Sequence, residues 1–122
     1  MFSHVMVGVS DLEKSKTFYD AIFAPLGLGP GVDNKGRYFY VSPTGVFAIT
    51  IPIDGEPASH GNGTTIGFRV ESSEQGDAWH AAGLAHGGQA IEDPPGRRES
   101  GMYLAYLSDP DGNKICALCP PD

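Results

Sequence analysis

The stretch His4-Val5-Met6-Val7-Gly8-Val9-Ser10-Asp11-Leu12-Glu13-Lys14-Ser15-Lys16-Thr17-Phe18-Tyr19-Asp20 reads as a short strand running straight into a capped helix. Ser10 to Glu13 has the S-x-x-E form, in which hydroxyl and carboxylate satisfy the unpaired backbone donors of a helix start. Leu12, Phe18-Tyr19, Ile22-Phe23 and Leu26 then recur at helical spacing and form one apolar face. Pro25 and Gly27 end the helix.

The same order returns 61 residues later. Thr65-Ile66-Gly67-Phe68-Arg69-Val70 falls on the first strand, and Ser72 to Gln75 repeats the cap as S-x-x-Q. Trp79 takes the place of Phe18, with Ala78, Ala82 and Ala85 on a weaker apolar face, ended by Gly83 or Gly87-Gly88. After each helix comes a hairpin. Arg37 to Val41, a Ser42-Pro43-Thr44-Gly45 turn and Val46 to Ile51 form the first; Met102 to Leu107, Asp109-Pro110-Asp111-Gly112 and Lys114 to Leu118 form the second. Aligning Pro43 with Pro110 and Gly45 with Gly112 gives an offset of 67, so six further residues fall in a loop among Glu92 to Gly101. The expected fold is α+β: two tandem βαβββ modules in one domain over 1–122. Module one covers 1–52, a Gly/Pro-rich linker 53–63 and module two 64–120.

The totals narrow the function classes. A net charge of −7 repels phosphate backbones, so no nucleic-acid partner is expected. No apolar run has the length of a membrane span, no membrane partner is expected, and the expected location is cytoplasmic. Cys116 and Cys119 form a C-x-x-C, but on a strand residues three apart point to opposite faces, so neither a local disulfide nor a zinc half-site is expected.

In the opening strand and helix, the Leu26-Gly27-Leu28 that follows and the Leu107-Ser108-Asp109-Pro110-Asp111-Gly112-Asn113-Lys114-Ile115 hairpin, the chain resembles the vicinal oxygen chelate superfamily of glyoxalases, bleomycin-resistance proteins and extradiol dioxygenases. The resemblance implies a curved mixed β-sheet of eight strands around a cleft, helices on its outer face, and a homodimer. Metal-dependent relatives place four ligands, usually His, Glu or Gln, on the first and last strands of each module. Carried onto this chain, those positions are His4, Thr65, Cys116 and, as the repeat partner of Cys116, Ile49. Only His4 is an ordinary ligand, so no metal or other cofactor is expected.

Alternation from these four places Met6, Gly8, Gly67, Arg69, Phe47, Ile51, Lys114 and Leu118 on the cleft side, and Val5, Val7, Ile66 and Phe68 toward the helices. The candidate ligand-binding cleft is therefore His4, Phe47, Ile49, Thr65, Arg69 and Cys116. A guanidinium in a partly dry cleft wants a carboxylate or phosphate, which makes Arg69 either an anchor for an anion or half of an internal ion pair. His60, His80 and His86 read as surface residues, and the loop 93–101 with Arg97-Arg98 as a solvated loop or a lid. Tyr38, Tyr40, Tyr103 and Tyr106 divide between core and cleft. The expected function is binding of a small, apolar-to-anionic molecule with the family's divalent-metal site largely lost. The alternatives are a metal-dependent lyase, isomerase or dioxygenase using His4 and Cys116 with Zn, Ni, Mn or Fe, and a structural dimer without ligand.

Overall fold

A computed structural model describes residues 1–122. The fold is α+β, and each half repeats the order strand, helix, hairpin. Module one runs β1 (His4–Gly8), α1 (Leu12–Phe23), β2 (Val32–Asn34), β3 (Arg37–Ser42), β4 (Gly45–Thr50). Module two runs β5 (Ile66–Arg69), α2 (Ser73–Ala85), β6 (Gln89–Ala90), β7 (Gly96–Arg97), β8 (Tyr103–Ser108), β9 (Lys114–Cys119). The surplus residues of module two thus form more than a loop, because β7 pairs with the outer end of β8.

The helix signals hold with a shift in partners. Asp11, not Ser10, caps α1 by accepting from the Lys14 amide, which leaves the Ser10 hydroxyl to accept from the Ala58 amide of the linker. Ser72 caps α2, while the Gln75 side chain accepts from the Glu71 amide. A 3₁₀ turn over Ala24–Leu26 follows α1, and Gly27 stops it at φ 83°, a left-handed conformation that costs glycine little.

The strands divide between two sheets, ordered β1-β4-β3-β2 and β5-β9-β8-β6. No ladder joins β1 to β5, so the single eight-stranded sheet implied by the resemblance is split into two open ones. Both helices cover the same face of the sheets, opposite the helix-free one. They pack on each other, and a single core draws Phe18, Tyr19, Phe23, Phe47 and Ile49 from module one and Trp79, Tyr103, Leu107 and Ile115 from module two. Phe23 and Phe68 meet edge-on across the modules with centroids 4.9 Å apart. Burial of rings this large is the main favourable term of the fold.

The Asp109–Asn113 loop fastens the two modules from the other side. Asp109 is buried; its Oδ1 accepts from the amides of Asp111 and Asn113, and its Oδ2 accepts from the Tyr19 hydroxyl at 2.6 Å and the Asn113 side chain at 2.8 Å. Burial first, and then the neighbouring Asp109 carboxylate, raise the Tyr19 hydroxyl well above its ordinary pKa, so it stays protonated and donating. Asn113 donates onward to the Gly8 carbonyl, and Asp111 accepts from the Ser10 amide. The motif that carried the family resemblance is here an inter-module fastening.

Candidate functional site

Strand register decides which side chains can meet. In β1 and β4, His4 lies opposite Val46, Val5 opposite Phe47, Met6 opposite Ala48 and Val7 opposite Ile49. Residues opposite each other share a face. His4, Met6, Val46 and Ala48 therefore take one face, while Phe47 and Ile49 take the helix side, where both are buried in the core. The expectation that Phe47 and Ile49 share the face of His4 is corrected.

The cause lies in the hairpins. The first closes Ser42 on Gly45 across the two residues Pro43-Thr44, whereas the second closes Ser108 on Lys114 across five residues, 109–113. That odd difference flips the face of every residue after the turn. The residue opposite Met6 is Ala48 and the one opposite its repeat Gly67 is Cys116, which puts the strand β4 to β9 offset at 68, not 67. Ala48 is thus the repeat partner of Cys116.

Module two follows the expected alternation. Phe68, Ile115 and Ala117 pack with the core or belong to it, and Gly67, Arg69, Lys114, Cys116 and Leu118 take the helix-free face. Cys119 joins the core, opposite in direction to Cys116, and both thiols are free. Burial raises the Cys116 thiol, an effect that nearby Lys114 only partly offsets, and this disfavours the thiolate that metal ligation or nucleophilic attack needs. Lys114 is itself engaged, paired with Glu92 and 5.0 Å above the Tyr106 ring.

The cavity of interest, about 610 Å³, lies in the seam where the free edges of β1 and β5 approach without pairing. Its floor, the side toward the core, includes the buried Phe23 and Phe47 with half-buried Phe68, and its mouth carries the exposed His4, Arg69 and Glu71. Three of the six expected cleft residues meet there: His4, Arg69 and, from the opposite face, Phe47. Ile49, Thr65 and Cys116 do not line it. Arg69 is exposed and has no ion-pair partner, so the internal pair weighed from the sequence does not form. The His4 ring, also exposed, is hydrogen-bonded through Nδ1 to the Ser3 hydroxyl at 2.8 Å. The aromatic floor was hidden from sequence reasoning because Phe23 and Phe68 read only as core. Their place beside a gap becomes visible once β1 and β5 fail to join.

The remaining candidates lie elsewhere. His60 contacts the Asp111 carbonyl at 3.3 Å and holds the linker over the fastening loop. His80 is buried, not on the surface, because α2 turns it toward β8; burial lowers its pKa, partly countered by a hydrogen bond that the ring donates to the Tyr106 backbone carbonyl. His86 is exposed and bonds the Ala82 carbonyl. Arg97 and Arg98 donate to carbonyls of Gly101, Pro120, Pro94 and Gly96, which ties the 93–101 loop to itself and to the C-terminal segment. Tyr38, Tyr40 and Tyr103 face the helices and only Tyr106 the free face.

A family model described as the Glyoxalase/Bleomycin resistance protein/Dioxygenase superfamily matches residues 1–117. The chain belongs to that superfamily. Among solved structures, this superfamily member is similar to a glyoxalase/bleomycin resistance protein from Albidiferax ferrireducens T118, with 67% identity, a TM-score of 0.96 and 99% of each chain covered. It also shares its fold with a glyoxalase-related enzyme from Fulvimarina pelagi, at 23% identity, TM-score 0.76 and coverage of 98% and 87%. A lactoylglutathione lyase from Agrobacterium tumefaciens is a third, at 19% identity, TM-score 0.66 and coverage of 98% and 92%. The last two show the fold alone. No protein of curated function matches the chain.

Superfamily members often use a divalent metal, and the donors here do not fit one. At the four family positions stand His4, Thr65, Cys116 and, with the register corrected, Ala48, which has no donor atom. No group of three or more His, Cys, Asp and Glu side chains converges anywhere in the chain. Divalent cations want three or four such donors.

Proposed function

We propose that this superfamily member binds a small amphipathic anion in the seam cavity, with Arg69 as the anchor and no divalent metal. The observation that carries the reading is the unpaired guanidinium at the mouth of a cavity with an apolar floor. Lys114 has an acidic partner, Arg97 and Arg98 donate to carbonyls, and Arg69 alone of these is free to donate to a carboxylate in a forked pair. One fold hosts many activities, so the proposal rests on the cavity and not on the family.

Calorimetric titration with octanoate, a carboxylate with an apolar tail, tests it. Charge-assisted hydrogen bonds contribute about 1.5–3 kcal/mol, so Arg69→Met is expected to weaken binding by roughly tenfold or more. Equal affinity in both proteins would discard the anchor.

A homodimer belongs to the same proposal. Val32 and Val41 are exposed on the helix-free face of module one, an apolar surface that a second copy would cover. Sedimentation at micromolar concentration is expected to give twice the chain mass; a monomer at every concentration would remove this part.

A further inference from the structure

Resting on the reading of the seam cavity as an anion site, we infer that its ligand class is an aryl monocarboxylate. The floor is aromatic in a particular way. Phe68 stands perpendicular to Phe23 at 89° and to Phe47 at 88°, with centroids 4.9 and 5.3 Å away. Phe23 and Phe47 complete the triangle at 5.7 Å and 65°. Phe23 and Phe47 are nearly covered and Phe68 is half-buried, so a ligand ring meets the array chiefly at Phe68, where it extends the edge-to-face geometry that aromatic quadrupoles favour. A saturated ring of the same size fills the volume without that electrostatic match.

The mouth sets the polar end. Arg69 supplies two parallel donors in one plane, which suits the planar carboxylate. Glu71 lines the same mouth and repels a second negative charge, so the ligand carries one. The cavity, about 610 Å³, lies within the range of small-molecule sites and leaves room for a two-ring body.

Four probes of matched size test this by calorimetry on the full chain: 2-naphthoate, decahydro-2-naphthoate, 2-naphthylmethanol and 2,6-naphthalenedicarboxylate. The inference expects 2-naphthoate to bind about 3- to 10-fold more tightly than its saturated analogue. It expects Arg69→Met to abolish the advantage of 2-naphthoate over the neutral alcohol, and the dicarboxylate to bind no more tightly than the monocarboxylate. Equal affinity of the aromatic and saturated acids overturns the aryl class while leaving the anion site standing. A tighter dicarboxylate overturns the single-charge limit. If none of the acids binds, the aryl inference falls, and the octanoate titration decides separately whether the anion site falls with it. Phe68→Leu, checked by thermal melting to be folded, is expected to erase the preference for the aromatic acid while octanoate still binds.

Discussion

Asp109→Ala is expected to destabilise the protein by about 3–5 kcal/mol in urea unfolding, because it removes a buried acceptor of four hydrogen bonds. The alanine strands the Tyr19 hydroxyl, which is completely buried and has no water to turn to, and it frees Asn113 from the carboxylate that positions it. The effect reaches across the modules, since Asn113 also holds the Gly8 carbonyl at the end of β1. Adding Tyr19→Phe to Asp109→Ala removes the stranded donor. The double variant is therefore expected to lose clearly less than the two single losses together. A cost near zero for Asp109→Ala would mean that the modules are not fastened through this loop.

Phe23→Ala is expected to cost a similar 3–5 kcal/mol, by a different route. Phe23 is 1% exposed and lies within ring-stacking distance of Tyr19, Tyr40, Phe47 and Phe68, so the alanine opens a void at the place where both modules share one core. Rings packed edge-on to one another collapse poorly into such a space, which keeps the cost high. Phe23→Leu, which refills most of the volume, is expected to recover more than half of the loss. Because Phe23 also lines the cavity floor, its alanine variant is expected to retain Arg69-dependent octanoate binding with a less selective pocket. Thermal melts and titrations of the same samples check both. A loss under about 1 kcal/mol would place the stabilising core elsewhere.

The repeat of strand, cap and helix was legible in the sequence because its signals are local. Ser72 and Gln75 act within one turn of each other, Gly27 and Pro25 act on their own backbone, and a C-x-x-C on a strand must diverge. What was not legible depends on counting through a turn. Pro43-Thr44 and Asp109–Asn113 look alike as Pro/Gly turns but bridge two and five residues, and that parity moved Phe47 and Ile49 to the helix side. The separation of the sheets was hidden too, since no residue in β1 or β5 advertises an unpaired edge. The face that Arg69 takes was legible by alternation within module two, where the register holds. The residue's lack of an ion-pair partner, on which the proposed site depends, needed the packing of the whole chain.

The most direct measurement is calorimetric titration of octanoate into chelator-treated protein, with and without added Zn²⁺ or Ni²⁺. The account predicts the same affinity in both conditions and a loss of roughly tenfold or more in Arg69→Met alone. Binding that begins only when the metal is added, and that disappears in His4→Ala, would contradict it.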